Sequence, residues 1–526
     1  MTNWVLNFET QVHNRGHAVA IVHDGRSKTY DELNRDAGAF GNWVNRRGFE
    51  KVALFLPSMY EFLVAQLGAL KAGVPVVPVN YMFGQETIGY VLTDAEADVV
   101  LTQATDAALV AEVVDDTVVE TVVTIGDSPH SDQTLDAILA SESPMLTAAP
   151  KRDGDLFNLN YTSGTTGDPK GVYKTHRNMS AHITNMEHVW KLGPDQTWIN
   201  AGPLYHTAGL ESSTLPLLQA GATVVLMQWD VARFLELTER HQASSAYIVG
   251  SMLIDLAKYD DPERFDTSSL RNVFCGGAPI GQADYDAVAE KYDVAASEFL
   301  GFTEAGISFT YPIGMLGAYE PTSHTSMKVP DSCGRPLFNQ VEVRLCDPDT
   351  DEVVTVIQPD GETTPGRGEL QLRGESVFEK YYRKPEQTAN AFTEDGWYRT
   401  GDVVSVDEAG YVYYQDRADN MLVTGGENVY PRAIEPVVNT HPSVHESAVF
   451  GLPHERWGTQ ICVAVVPKKS ADLTEAAIID FCKASDALAD YEVPKRVYVR
   501  ETIPKTPTNS IRRRVLTEEY STQAEQ

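Results

Sequence analysis

Apolar residues along positions 1–150 follow two periods, one typical of strands and one typical of helices. The runs VALFLP and VPVVPV are short and rich in β-branched residues, as in buried strands. Between them, SMYEFLVAQLGALKAG carries apolar residues at helical spacing from Ser58, and Gly73 predicts where this helix stops. The order of strand, helix and strand predicts an α/β fold with a mostly parallel, doubly wound sheet.

The same rhythm returns over residues 220–300. There GATVVLM, SSAYIV and LRNVFCGG are predicted strands, and VARFLELTERH and MLIDLAKY are predicted helices. From about residue 330 to 415, alternating strands separated by Gly, Pro and Asp predict a small antiparallel β unit. After about residue 417 the pattern is mixed α+β.

The charge of the chain restricts its partners. The 526 residues include 74 acidic and 42 basic side chains, for a formal net charge of −32. Nucleic acids and anionic membranes attract basic surfaces, so we expect neither a nucleic-acid partner nor membrane binding. Only 17 of the basic residues are lysines. Such a chain is typical of a halophile, in which salt screens self-repulsion, and a merely acidic mesophilic protein is the alternative.

Cysteine usage and apolar run length bear on the compartment. Five cysteines, an odd number with no CxxC, are typical of reduced thiols and not of a disulfide framework or a metal site. The N-terminal residues show no secretory signal pattern, and no apolar run approaches the roughly 20 residues of a membrane span. We therefore expect a cytoplasmic protein with no membrane insertion.

The strongest local pattern is a loop rich in Ser, Thr and Gly after the predicted strand LFNLNY. It comprises Thr162, Ser163, Gly164, Thr165, Thr166 and Gly167, followed by Asp-Pro-Lys170-Gly171. Glycines let backbone N–H groups turn toward an anion, hydroxyls add donors, and Lys170 supplies a positive charge. The loop therefore predicts a polyphosphate site, although it differs from the Walker pattern because Gly follows the lysine.

This loop resembles the phosphate loop of the adenylate-forming superfamily, which contains acyl-CoA synthetases, peptide-synthetase adenylation domains and firefly luciferase. Further motifs appear in that family's order: PLYH at 203–206, GGAP at 276–279, GFTE at 301–304, GRP at 334–336, YRTGD at 398–402, DRAD at 416–419 and GGENVYP at 425–431. The resemblance covers nearly the whole chain, from about residue 29 to residue 516.

The resemblance implies an acyl- or aryl-CoA ligase. It implies a large N-terminal domain over residues 1–417, which consists of doubly wound sheets and a small β-barrel-like unit. A small mobile α+β domain follows over residues 418–526. The implied reaction activates a carboxylic acid with ATP and Mg²⁺ as acyl-AMP and transfers the acyl group to CoA. The implied partners are the acid, ATP and CoA, with a homo-oligomer possible.

Roles in the nucleotide site follow from the resemblance alone. It implies that Glu304 binds Mg²⁺, that Thr303 contacts the α-phosphate, and that Lys170 contacts phosphate. The implied adenine slot comprises Gly276, Gly277, Ala278, Pro279 and Leu300, where Leu300 replaces a common aromatic residue. Asp402 and Arg417 are expected at the ribose, and Asp419 at the hinge between two domain orientations.

The acyl and CoA sites are implied in the same way. His206 is expected at the mouth of the acyl pocket. Gly425 and Gly426 would let the CoA thiol approach, and Trp457 and Tyr491 are expected near CoA. For both aromatic residues, packing within the small domain is the alternative.

One position departs from the family pattern. The C-terminal segment PKTPTNSIRRR places Ser510 where the family carries a lysine that bridges the substrate carboxylate and the α-phosphate. Serine supplies no fixed positive charge. Three alternatives follow: Arg512 or Lys505 substitutes, the chain is impaired in adenylation but uses preformed acyl-AMP, or it is a non-catalytic nucleotide- or acyl-binding protein. An acyl-AMP ligase that feeds a carrier protein is a further alternative within the enzyme class.

Overall fold

The computed structural model describes most of the chain. The described residues are 3–162, 168–277, 280–311, 329–348, 350–358, 363–425, 427–468, 473–485, 487–505 and 511–524. The chain divides into two compact units, each built from several segments. The first comprises Met1–Val343, Leu372–Tyr398 and Gly410–Val412, and the second comprises Arg344–Gln371, Arg399–Ala409 and Tyr413–Gln526.

Two large sheets form the first unit. One contains nine strands within the described ranges, in the spatial order Arg335–Pro336, Gly306–Thr310, Ala295–Phe302, Asn272–Gly276, Ser245–Val249, Thr197–Asn200, Thr223–Leu226, Val19–His23 and Arg26–Thr29. Its central strands are parallel, and antiparallel strands lie at both edges.

The other large sheet has eight strands in the part of the chain that the structure describes. Their spatial order is Lys380–Tyr381, Lys170–Thr175, Leu156–Thr162, Val76–Pro78, Val52–Phe55, Val99–Gln103, Thr121–Ile125 and Gln133–Thr134. Strands Leu156–Thr162 and Lys170–Thr175 form an antiparallel hairpin whose register pairs Thr162 with Lys170. The predicted phosphate loop therefore lies between these two strands.

Helices of the first unit connect and cover its strands, as a doubly wound fold requires. The α-helices of eight or more residues are Val5–Arg15, Tyr30–Arg47, Tyr60–Ala72, Gln85–Ala95, Ala107–Val114, His176–Val189, Val231–His241, Gly250–Lys258 and Gln282–Tyr292. Shorter helices are Leu135–Ser141, Thr207–Gly209, Leu215–Ala220 and Pro385–Ala391, with a π-helix at Leu210–Thr214 and a 3₁₀ turn at Pro262–Arg264. The helix predicted from Ser58 runs over Tyr60–Ala72 and ends at Gly73, whose φ of +79° is the left-handed cap expected of glycine.

The core of the first unit is aromatic where its strands and helices meet. The rings of Trp198 and Phe274 stack with an interplanar angle of 2°, and the Trp190 ring lies 4.6 Å from that of Phe274. All three side chains are buried. Helix His176–Val189, which ends one residue before Trp190, is thereby anchored to the strands that carry Trp198 and Phe274.

The second unit is built on two smaller sheets. Most residues of one belong to this unit, and its described strands have the order Val353–Ile357, Glu342–Cys346, Gly366–Arg373, Tyr398–Val406 and Val412–Arg417. In the other, Glu427–Val429, Leu422–Thr424, Gly458–Pro467 and Val444–His454 lie side by side, and Arg496–Val499 pairs parallel with Gly458–Pro467. Helices Pro431–Asn439, Glu475–Lys483 and Arg513–Ala524 and the 3₁₀ turn Ala418–Asn420 complete this unit.

These sheets and helices confirm the predicted α/β fold with a large N-terminal part and a smaller α+β C-terminal part. The boundary between residues 417 and 418 stays a prediction. No helix within the described ranges is long and apolar enough to cross a membrane.

Candidate functional site

The two arms of the phosphate loop lie next to each other at one end of the hairpin. The Thr162 hydroxyl donates to the Lys170 carbonyl over 3.5 Å, so the described ends of the loop are in contact. The predicted loop residues Ser163, Gly164, Thr165, Thr166 and Gly167 lie outside the described residues.

Tyr381 joins two of the predicted site residues, Lys170 and Glu304. The Lys170 ammonium lies 4.7 Å from the centre of the Tyr381 ring, a cation–π distance. The Tyr381 hydroxyl donates to Glu304 Oε1 over 2.8 Å. One aromatic side chain thus contacts the predicted phosphate cation and the predicted metal-binding carboxylate.

Sequence analysis missed Tyr381 because its only local signal is a pair of adjacent tyrosines, Tyr381 and Tyr382. The short strand Lys380–Tyr381 pairs with the strand that begins at Lys170, in a register that opposes Tyr381 and Val172. The Phe378 amide also donates to the Glu304 carbonyl over 2.7 Å. This pairing between distant segments, not any local motif, brings Tyr381 to the site.

The predicted adenine slot lies where neighbouring parallel strands end. Gly276 ends its strand and is paired with Phe299, next to Leu300. A Cβ at Gly276 would lie 2.3 Å from the Phe299 ring, so only glycine fits this approach. Gly277 follows with a φ of +81°, and Ala278 and Pro279 lie outside the described residues.

This position suits a nucleotide because ligands of open α/β sheets bind at the carboxyl ends of parallel strands. Leu300 and Thr303 are both partly exposed near the end of the strand Ala295–Phe302. The structure therefore brings Gly276, Gly277 and Leu300 to one edge of the sheet, and their contact with adenine stays a prediction.

His206 lies in a tight turn that leads into a helix. Its amide donates to the Pro203 carbonyl over 3.2 Å, and its ring lies 4.9 Å from that of Tyr205. The turn is close-packed, since a Cβ at Gly209 would lie 2.3 Å from the Pro203 carbonyl oxygen. Burial lowers the pKa of His206 to about 4, so the imidazole is neutral near pH 7.

A second histidine, His182, lies fully inside the first unit. Its Nε2 is 2.8 Å from the Ser212 hydroxyl, and its Nδ1 is 3.2 Å from Gln340 Oε1. Burial first, and then the Lys174 cation, lower the pKa of His182 to about 4. In the unfolded chain the pKa returns to about 6.5.

The pKa of His182, about 4 in the folded protein and about 6.5 in the unfolded chain, gives a pH-dependent contribution to the free energy of unfolding. Because the folded pKa is lower, the contribution is complete above about pH 6.5 and is lost as the pH falls toward 4. Between pH 7 and pH 4.5 we expect the unchanged protein to lose about 2 kcal/mol more free energy of unfolding than His182→Gln loses. Urea denaturation at the two pH values measures this, and equal losses would contradict the assignment.

In the second unit, Asp402 and Arg417 form an ion pair. Arg417 Nη1 lies 3.0 Å from Asp402 Oδ1 and 3.0 Å from the Thr400 carbonyl oxygen. The Tyr414 hydroxyl donates to the same carboxylate oxygen over 3.4 Å. The structure thus brings together the two residues that the resemblance assigns to the ribose, and their contact with ribose stays a prediction.

Asp416, the first residue of the DRAD motif, makes hydrogen bonds on both sides of the predicted hinge. It is buried, and its carboxylate accepts hydrogen bonds from the Arg417 amide (2.7 Å), the Asn420 side chain (2.8 Å) and the Arg432 amide (3.1 Å). The exposed Asp419 lies inside the 3₁₀ turn Ala418–Asn420 that these bonds surround. Three donors to one buried carboxylate fix both ends of this turn.

The predicted CoA residues are only partly brought together. The Gly425 amide donates to the Trp457 carbonyl over 2.9 Å, and the Trp457 ring stacks on His454 at 4.3 Å. Gly425 has a φ of +62°, and Gly426 lies outside the described residues. Tyr491 is 42% exposed and makes no hydrogen bond or ring contact with Gly425 or Trp457 among the described residues.

Ser510 lies outside the described residues, but its basic neighbours do not. Lys505 pairs with Glu446 over 2.6 Å, Arg513 pairs with Glu435 over 2.6 Å, and Arg514 pairs with Glu518 over 2.6 Å. Arg512 is exposed, and its guanidinium has no ion-pair or hydrogen-bond partner within the described ranges.

Comparison with known proteins tests the predicted family. The AMP-binding enzyme family matches residues 8–382, and the AMP-binding enzyme C-terminal domain matches residues 433–509. A feruloyl-CoA synthase from Amycolatopsis sp is 31% identical over 504 residues, with 94% of each chain covered. A long-chain-fatty-acid–CoA ligase from Mycobacterium tuberculosis is 29% identical over 522 residues, with 98% of each chain covered.

Solved structures agree with this result. The crystal structure of ATP-bound MatB from Rhodopseudomonas palustris superposes with a TM-score of 0.86 at 28% identity, and 99% of each chain is covered. The family predicted from the motifs is therefore confirmed. The chain belongs to the family of AMP-binding enzymes, the adenylate-forming superfamily, in its acyl-CoA synthetase branch.

Proposed function

We propose that the protein activates a carboxylic acid with ATP and passes the acyl group to CoA. Membership of the acyl-CoA synthetase branch makes the chain an AMP-forming acid–thiol ligase. In the first step a carboxylate oxygen attacks the α-phosphorus of ATP, and pyrophosphate leaves. In the second, the CoA sulfur attacks the acyl carbon, the bond from this carbon to the AMP oxygen breaks, and AMP leaves.

The observation that supports this assignment most is the contact of Lys170 and Glu304 with Tyr381 beside the phosphate loop. The Lys170 ammonium lies 4.7 Å from the Tyr381 ring centre, and Glu304 Oε1 lies 2.8 Å from the Tyr381 hydroxyl. Both charged groups are therefore arranged around one side chain before the substrate binds. Lys170 would neutralise phosphate charge, and Tyr381 would keep the Glu304 carboxylate oriented. Catalysis of this kind consists mainly of positioning and charge neutralisation.

The chemistry of the donors fits Mg²⁺. No group of three or more His, Cys, Asp or Glu that could hold a metal occurs among the described residues. Mg²⁺ is commonly held by one or two carboxylates together with substrate phosphates and water, and Glu304 supplies one such carboxylate. Mg²⁺ bound there would neutralise charge on the transferring phosphates.

The ribose and CoA assignments rest on the second unit. The Asp402 carboxylate can accept bonds from both ribose hydroxyls, and Arg417 contacts one of its oxygens over 3.0 Å. The turn Ala418–Asn420, bounded by the bonds to Asp416, would change conformation between the two half-reactions. Gly425, without a Cβ, would let the thiol approach beside Trp457.

A screen for AMP release tests the function. Purified protein is incubated with ATP, Mg²⁺ and an acid panel that spans long-chain fatty, aryl and short polar acids, with and without CoA, at low and high salt. We expect AMP release that requires both the acid and CoA, and almost none from Asp402→Ala. AMP release with a carrier protein but not with CoA would favour the carrier-loading alternative, and ATP binding without AMP release would favour the non-catalytic one.

Magnesium titration separates the roles of Lys170 and Glu304. We expect Glu304→Ala to raise the Mg²⁺ concentration for half-maximal activity at least tenfold, because it removes the metal-binding carboxylate. Lys170→Ala should raise the KM for ATP and leave that Mg²⁺ concentration unchanged. Identical magnesium curves for these two variants would count against the assignment.

Tyr381→Phe tests whether the Tyr381 hydroxyl orients the Glu304 carboxylate. It keeps the aromatic face beside Lys170 and removes only the hydroxyl that donates to Glu304. The loss of one such hydrogen bond, about 1 kcal/mol, predicts a Mg²⁺ shift of about fivefold in the same direction as that of Glu304→Ala. An unshifted curve would mean that Tyr381 does not orient the carboxylate.

A further inference from the structure

A π-turn interrupts the helix that follows His206. Thr207–Gly209 is α-helical, Leu210–Thr214 is a π-helix, and Leu215–Ala220 is α-helical again. Such turns are rare and often occur at functional sites. Here side chains stabilise it: Asn200 donates to the Gly209 carbonyl over 2.7 Å, and the Thr214 hydroxyl donates to the same carbonyl over 2.8 Å.

The π-turn carries a buried carboxylate, Glu211, that is fully inaccessible to solvent. Its Oε2 pairs with the ammonium of Lys174, which is 3% exposed. The same ammonium donates to the Thr207 hydroxyl over 2.9 Å. Lys174 therefore contacts two side chains one turn apart, and one of them directly follows His206.

Two further side chains extend the network. Asn158 donates to the other Glu211 oxygen over 3.0 Å, and Gln66 donates to Asn158 over 2.9 Å. Lys174 belongs to the strand that begins at Lys170, and Asn158 to the opposite strand of the same hairpin. The network thus connects the π-turn with both arms of the phosphate loop.

Stability alone does not account for an ion pair at this depth. Removing two charges from water costs several kcal/mol for each ion, and well-packed apolar side chains of similar volume are often equally stable. What Lys174 and Glu211 add is directional contact, since each bond fixes the position of a particular atom. The atoms fixed here belong to Thr207 and to the π-turn.

We propose that the buried Lys174–Glu211 pair is a positioning element of the acid-binding wall, which holds His206 and the π-turn in register with the strand that carries Lys170. The link to acid binding rests on the proposed function. Lys174 and Glu211 act through Thr207 and the helix backbone, with no contact to the reacting atoms. Through this pair, the wall that receives the acid is fixed relative to the strand that begins at Lys170.

The test compares Lys174→Met, Glu211→Leu and the double variant with the unchanged protein. Each single variant leaves one buried charge unpaired and should melt well below the unchanged protein, whereas the double variant should recover most of the melting temperature. In the recovered double variant we expect amides of residues 206–214 to exchange with deuterium at least tenfold faster, with no change in helix His176–Val189. Its KM for the acid should rise at least fivefold while its KM for ATP changes less than twofold.

Thr207→Val provides a variant that buries no unpaired charge. It removes only the hydroxyl that Lys174 contacts, and we expect it to melt like the unchanged protein and to show faster exchange over residues 206–214. Unchanged exchange in Thr207→Val, or in a double variant of restored stability, would overturn the proposal. If no acid supports AMP release by the unchanged protein, the proposed function fails, and deuterium exchange alone then decides whether the pair positions this segment.

Discussion

Arg512→Ala is expected to lower the rate of acyl-AMP formation about a hundredfold and to leave thioester formation from synthetic acyl-AMP nearly unchanged. Removal of one group that stabilises transition-state charge typically costs 10²–10³-fold. The resemblance implies that Ser510 stands where the family carries its lysine, so we expect a neighbour to supply this charge during adenylation. Of the basic neighbours described, Lys505, Arg513 and Arg514 are engaged by carboxylates, and Arg512 alone has no such partner in the described ranges.

Arg512 follows Ser510 by two residues, and backbone contacts fix its position. Its amide donates to the Pro504 carbonyl over 2.8 Å, and Lys505 and Ile511 are bridged in antiparallel fashion. Glu435 holds Arg513 over 2.6 and 2.8 Å, which fixes the start of the last helix. The described residues on either side of positions 506–510 are therefore paired with each other.

Two half-reactions assayed separately measure the effect. Pyrophosphate release reports adenylation, and CoA thioester formation from synthetic acyl-AMP reports the second step. Arg514→Ala is the matched control, because it removes an exposed arginine that already pairs with Glu518 and should change neither rate more than twofold. Ser510→Lys added to Arg512→Ala should restore adenylation at least tenfold, about 1.4 kcal/mol of barrier.

Other results would favour another of the alternatives for Ser510. If Arg512→Ala changes nothing while Ser510→Lys in the unchanged chain raises adenylation tenfold, no neighbour supplies the charge, and the chain is impaired in the first step. If both half-reactions fall equally in Arg512→Ala, the arginine does not act on adenylation alone.

The melting temperature is expected to rise by at least 10 °C between 0.1 M and 3 M KCl. The excess acidic side chains, which give the net charge of −32, repel one another in the compact folded state. Salt weakens this repulsion. The screening length falls from about 10 Å at 0.1 M to about 3 Å at 1 M salt. A thermal melt at each concentration measures the shift, and superimposable melts would contradict the halophilic interpretation.

A charge-reduced variant separates screening from general salt effects. Asp115, Asp116 and Glu120 are exposed and make no ion pair in the part of the chain that is described. Replacing them with Asn, Asn and Gln should raise the melting temperature at 0.1 M KCl and leave it unchanged at 3 M KCl. Equal stabilisation at both concentrations would show that self-repulsion is not the cause.

The sequence predicted those parts of the fold that depend on hydrophobic period and glycine placement within one segment. The helix that ends at Gly73 and the strands between residues 342 and 417 lie where period and glycine placement put them. Gly276 at the end of a strand was predicted in the same way, and the pairing with Phe299 explains why a side chain there would not fit.

The parts that sequence analysis missed depend on contacts between distant residues. Tyr381 follows Glu304 by 77 residues, and the edge strand Lys380–Tyr381 brings it to the site by pairing with the strand that begins at Lys170. Glu211 lies among apolar residues and small hydroxyls in the sequence. The direction of its side chain could not be deduced there, because its partner Lys174 lies 37 residues earlier. No period along the chain encodes such pairs, since they are fixed by sheet order and burial.

Transfer of oxygen from the acid to AMP tests the central claim most directly. The most active acid of the panel is labelled with oxygen-18 in both carboxylate oxygens and incubated with ATP and CoA, and the products are analysed by mass spectrometry. Attack of the carboxylate on the α-phosphate, followed by thioester formation, predicts AMP that carries one labelled oxygen and a thioester that keeps the other. Unlabelled AMP, or label in inorganic phosphate together with ADP, would contradict an acyl-AMP intermediate.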